Sequence, residues 1–123
     1  MHDGHRLAFL IIEAEPAQGL STRKLLLESA THNVLTAYSP DEGIRMFRRF
    51  PHVDVVAVDG SFGEVTCKGL VEEIRNENPN IRVVAFVPNV GACCDWADET
   101  TNSHDPAGLL RVLQDMGGRT DIA

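Results

Sequence analysis

A doubly wound α/β fold, with parallel strands alternating with helices, is what this sequence predicts, and three observations carry it. Short apolar runs recur along the chain: LAFLII at 7–12, VDVVAVD at 53–59 and IRVVAFV at 81–87. Continuous runs of this length suit strands covered on both faces. The stretches between them have helical spacing and helix-type boundaries, and a strand–helix alternation argues for a parallel sheet. Acids stand where the first and third runs end, at Glu13 and Asp59.

The elements follow in order. After the first strand, EAEP places Pro16 at a first helical turn, where its missing N–H costs nothing. Residues 17–30 keep the helical pattern, with Leu20 and Leu27 seven apart. NVLTAY, 33–38, is a β-rich second strand. SPDEG then starts a helix, with Ser39 as N-cap, Pro40 at the first position and acids in the first turn. Ile44 and Phe47 share its inner face, and Pro51 stops it. The third strand, 53–59, runs into a loop punctuated by Gly60 and Gly63. Leu70 and Ile74, four apart, mark a third helix closed by Asn78-Pro79. The fourth strand, 81–87, ends at Pro88.

Beyond it the pattern weakens. Residues 88–102 hold a brief strand candidate at 99–101 and no long helix, so the fourth helix is a single turn near 92–97 or missing. Asp105 caps a last helix with Leu109, Val112, Leu113 and Met116 on one face, and Gly117-Gly118 ends it. Five strands and their crossovers in a chain of 123 residues predict the flavodoxin-like (βα)5 sheet, strand order 2-1-3-4-5. Ligands of such sheets sit at the carboxyl ends of the strands, beside the switch point between strands 1 and 3, so Glu13 and Asp59 should converge. One domain over 1–123, with its core in 6–117, accounts for the length.

Composition narrows the function. The net charge is −7, with 11 Lys and Arg against 18 Asp and Glu. No basic run offers the phosphate neutralisation that supplies most nucleic-acid affinity, so direct nucleic-acid binding is not expected. The longest apolar run falls short of the roughly 20 residues of a membrane span. MHDGHR leads into no secretory pattern. Cys67, Cys93 and Cys94 are expected as three free thiols in a reducing cytoplasm. His2, His5, His32, His52 and His104 have no ligand spacing. Trp96 reads as a core plug for space left by the short fourth helix, with a partner-contact anchor as the alternative. No G-x-S-x-G, Walker loop or G-x-G-x-x-G is present, which argues against an enzyme.

The order and spacing of FLIIEAEP, PHVDVVAVD, Ile74-Arg75 before Asn78-Pro79, and HDPAGLLRVL resemble the receiver domain of two-component response regulators over residues 6 to 117. The resemblance implies a CheY-like fold and a phosphoacceptor aspartate at the end of strand 3, here Asp59. A carboxylate attacking a phosphodonor needs Mg²⁺ and a cation close to the transferring oxygens. The family supplies them with two acids after strand 1, a hydroxyl at the end of strand 4 and a lysine at the end of strand 5. In this sequence those positions fall on Glu13, Ala14, Val87 and Asn102, and the aromatic switch position falls on Glu99. Only Asp59 is unchanged.

The resemblance therefore implies an atypical receiver, or pseudo-receiver, of a phosphorelay. It would act in the cytoplasm by contact with a protein partner, a sensor kinase or a downstream signalling protein, without standard phosphorylation and with weak Mg²⁺ binding at most. One alternative is a slow phosphoacceptor modified at Asp59, with Mg²⁺ held by Glu13, Asp59 and the Ser61 carbonyl. Another is a small flavodoxin-like ligand-binding protein.

Overall fold

The computed structural model describes residues 7–14, 28, 33–87, 94–102, 108 and 111. Strands β1 (Ala8–Ile12), β2 (Asn33–Ala37), β3 (Val55–Asp59), β4 (Arg82–Val87) and β5 (Glu99–Asn102) form one sheet. Its order is β2-β1-β3-β4-β5, with every neighbouring pair parallel, as expected from the sequence. Leu10 lies in register with Leu35 and Val56, and Ala85 with Thr100. Glu28 is helical, as are Gly108 and Arg111, at positions within the predicted first and last helices. The other residues of those two helices lie outside the described set.

Alternation of side chains along the strands builds two cores. Leu10, Ile12, Val56, Val58, Val83 and Ala85 face one side and pack with Phe47, Leu70, Val71, Ile74 and Trp96. Phe9, Ile11, Val55, Ala57, Val84 and Phe86 face the other and are equally buried. Each such side chain contributes roughly 1.5–3 kcal/mol by leaving water, which is why uninterrupted apolar strands are stable only between two layers.

Helix α1 (Pro40–Arg49) begins as its sequence dictates. The Ser39 hydroxyl accepts from Glu42 N at 3.1 Å, and Glu42 Oε1 accepts from Tyr38 N at 2.7 Å. Gly43 lets the helix close on β1, since a Cβ there would stand 2.5 Å from Ile12 Cδ1. Helix α2 (Glu64–Glu77) buries Cys67, Leu70, Val71 and Ile74, a stripe at i, i+3, i+4 and i+7. On the outer surface Arg48 of α1 reaches Glu73 and Glu77 of α2 at 3.5 and 2.6 Å.

Where a fourth helix would stand, the described residues 94–97 form one turn, closed by Ala97 N donating to Cys94 O at 3.0 Å. Trp96 is 7% exposed and belongs to the core, the plug read from its position. Asp98 then leads into β5. Its N–H donates to Val83 O, and its Oδ2 accepts from Val83 N at 2.8 Å and from Arg75 Nη2 at 3.0 Å. Arg75 Nη1 also donates to the Trp96 carbonyl at 3.0 Å, tying α2 to this turn. The expectation of three free thiols is corrected here. Cys67 is a free thiol, but Cys94 is disulfide-bonded. A disulfide requires a second sulfur within bonding range and an oxidant to take up two electrons, neither of which a cysteine count reveals. The reducing-compartment argument built on free thiols no longer holds. No helix among the described residues is long and apolar enough to cross a membrane.

Candidate functional site

The carboxyl ends of β1 and β3 meet as the topology requires. Ile12 pairs with Val58, so Glu13 and Asp59 follow side by side on neighbouring strands. Their side chains then take different courses. Asp59 is partly exposed and uses both oxygens on backbone amides: Oδ1 accepts from Ser61 N at 2.9 Å, and Oδ2 accepts from Ala14 N at 3.2 Å. One carboxylate thus caps the 3-10 turn Gly60–Phe62 and fastens the loop after β1 to the end of β3. Hydrogen bonds from amides to an ionised group are the stronger kind, each contributing roughly 1.5–3 kcal/mol. Glu13 is 2% exposed, and its N–H donates to Ala37 O at 3.0 Å, so its backbone also fastens β1 to the end of β2.

Around Asp59 the positions that would serve a phosphoryl group are filled otherwise. Ala14 is exposed and offers only its methyl and its N–H, the latter held by Asp59. Val87, at the end of β4, is buried and lies against Gly60; a Cβ on that glycine would come within 2.3 Å of Val87 Cγ1. An apolar wall stands where a hydroxyl would be needed. Asn102 pairs in register with Val87 and closes β5, placing an uncharged amide at that edge. The Ser61 N–H faces the Asp59 carboxylate.

For Mg²⁺ the site offers few side-chain donors. The ion is held through carboxylates and waters in near-ideal octahedral geometry. Asp59 accepts one amide on each oxygen, Glu13 is buried, and Ala14 supplies no oxygen from its side chain. Among the described residues, no three His, Cys, Asp or Glu side chains gather as a metal set.

One neighbour of the site was not singled out in the sequence. Cys67 Sγ donates to the Asp59 carbonyl at 3.4 Å from the first turns of α2. Burial pushes its thiol up to about 11, and the Asp59 charge adds to the effect. Such a thiol is inert at neutral pH. Its place on the stripe 67, 70, 71, 74 was the available signal. Asp54, at the entry of β3, accepts from Ala8 N at 2.8 Å.

No protein-family model matches the sequence, and no curated protein matches it. Solved structures do match. A response regulator receiver domain protein from Clostridium thermocellum superposes with a TM-score of 0.76 at 23% identity, covering 94% of this chain and 98% of that one. A LuxR-family two-component response regulator from Aurantimonas sp. gives 0.75 at 19%, covering 92% and 86%. A response regulator from Thermotoga maritima solved with Mg²⁺ and BeF gives 0.64 at 19%, covering 87% and 98%. The chain has the fold of a response regulator receiver domain, CheY-like and flavodoxin-like.

Proposed function

We propose that this chain is a signalling receiver module, a single unit over 1–123 with its core in 6–117, that works by protein–protein contact rather than by aspartyl phosphorylation. It is not an enzyme on this reading. Its partner is a protein, a sensor kinase or a downstream signalling component. The observation that carries the reading is the state of Asp59: both carboxylate oxygens hold backbone amides, beside a methyl at Ala14 and an apolar wall at Val87. An attacking carboxylate needs a metal and donors aimed at the transferring oxygens, and the side chains at 14, 87 and 102 supply neither.

The test is labelling with acetyl phosphate in the presence of Mg²⁺, followed by intact mass. The wild-type chain should gain no phosphoryl mass. The triple variant Ala14→Asp, Val87→Thr, Asn102→Lys supplies a metal carboxylate, a hydroxyl and a cation, and should gain it at Asp59. Each group acts where charge sits on the transferring phosphoryl, with an effect of roughly 10²-fold. Adding Asp59→Ala should abolish the gain. Ready labelling of the wild type at Asp59 would overturn the proposal in favour of a slow phosphoacceptor.

A further inference from the structure

The sheet ends in two edges, and they differ. β5 carries the exposed Glu99, a charge of the kind that keeps strand edges from pairing. β2 has neither a charged residue nor a proline along NVLTA. Asn33 N donates to Leu7 O, and Ala37 O accepts from Glu13 N, so residues 33, 35 and 37 turn their backbone polar groups toward β1. Those of Val34 and Thr36 therefore point away from the sheet. They make no hydrogen bond among the described residues.

The surface beside this edge is apolar, with opposite charges at its two ends. A cavity of about 560 Å³ opens at the start of β2, where Val34, Leu35 and Phe50 are only partly covered. Phe50 is 43% exposed, and the Arg49 guanidinium stands over its ring, 5.9 Å from the centroid. Helix α1 runs back along β2. Its acidic first turn, Asp41 and Glu42, lies by the end of the strand, where Tyr38 N donates to Glu42 Oε1. Its last turn brings Arg49 to the start, beside Asn33 and Val34. Asp41 and Arg49 are exposed, and among the described residues neither makes an ion pair.

We propose that the β2 edge is a docking surface for a second copy of this chain, pairing β2 with β2 antiparallel across a twofold axis at Leu35 and joining the two sheets into one. A twofold contact must be self-complementary, and this edge is. Val34 lies opposite Thr36 of the second copy, and each such pair exchanges both N–H···O bonds. Antiparallel pairing sets the start of one β2 against the end of the other, so Arg49 of each copy faces Asp41 of the other. A net charge of −7 resists self-association in general, and this local match of opposite charges selects the edge. Pairing with β5 would instead place Glu99 in the seam. The surface does not use Asp59, so it stands whether or not that residue accepts phosphate.

A contact made by one short strand and its flanks belongs to the small, weak class of interfaces. Sedimentation equilibrium of the full chain should therefore show a mass rising with concentration from that of one chain toward that of two, and no further. Hydrogen exchange at the Val34 and Thr36 amides should slow over the same range. Val34→Pro removes an outward N–H and leaves the bonds to β1 in place, and should weaken the dimer by at least about tenfold. Val34→Ala keeps that N–H and should dimerise within about threefold of wild type. Asp41→Lys and Arg49→Glu should each weaken the dimer by about fivefold, since each acts at two symmetric places. Combined in one chain they exchange the charges and should restore it. A monomer at every concentration, a dimer unaffected by Val34→Pro, or no recovery in the charge-exchanged chain would overturn the proposal.

Discussion

At the scale of single residues, the acids at the strand ends show how one residue type serves opposite ends. An aspartate ending a parallel strand can act as a nucleophile only if a metal and donors activate it. Asp59 instead lies between two amides 47 residues apart in sequence, those of Ala14 and Ser61, and its chemistry becomes that of a clasp. Cys67 beside it gives a pH-dependent reading of the same corner. Its thiol pKa is raised from 9.0 to about 11 in the folded chain, chiefly by burial. The folded state therefore keeps the proton more tightly than the unfolded one. The resulting stability is fully present below about pH 9 and is lost as pH rises through about 11. A shift of this size corresponds to roughly 3 kcal/mol. Urea unfolding of wild type and Cys67→Ala across this window should show the wild type losing that much more stability than the variant. Parallel pH profiles would show that the thiol titrates alike in both states.

Elements are positioned by small departures from regular pattern. Helix α1 is capped by Ser39 and opened by Pro40, a local rule visible in the sequence. Its distance from the sheet is set by Gly43, where a helix would ordinarily prefer alanine by about 1 kcal/mol. Gly43→Ala tests which effect wins. The new Cβ would lie 2.5 Å from Ile12 Cδ1 and 2.9 Å from Cγ1, and Ile12 is fully buried. Overpacking costs typically 1–3 kcal/mol. The variant should be less stable than wild type by about 1–2 kcal/mol in chemical denaturation, despite its better helix propensity. At the other edge of the sheet, Asp98 and Arg75 tie the turn at 94–97 to α2 and β4 with four hydrogen bonds, among them the pair that Asp98 exchanges with Val83.

For the whole molecule, burial outweighs surface charge. Phe47 is 1% exposed within the larger core, and Arg48, next to it, makes two ion pairs to α2 from an exposed position. Removing a buried aromatic costs about 3–5 kcal/mol, because the lost transfer energy and the cavity add. Exposed ion pairs are screened and must hold two long side chains in one geometry, so they contribute little. Phe47→Ala should lower the unfolding midpoint sharply, and Arg48→Ala should leave it within experimental error. A comparable loss in both would mean that the Arg48 pairs fix the mutual placement of α1 and α2.

The sequence by itself determined the strand order, the cap of α1, the shortened stretch before β5 and the adjacency of Glu13 and Asp59. All of these follow from periodicity, local capping chemistry and the handedness of parallel crossovers, which act over short spans or by general rule. It also carried the substitutions at 14, 87 and 102, since these are identities rather than geometries. Only the tertiary structure decided that Asp59 clasps Ala14 and Ser61, that Val87 lies against Gly60, and that Cys94 is disulfide-bonded. It alone placed Asp98 between Val83 and Arg75. Each of these depends on atoms far apart in the chain meeting within a few ångströms. Composition and spacing carry no information about that distance until the sheet is closed and the helices have docked.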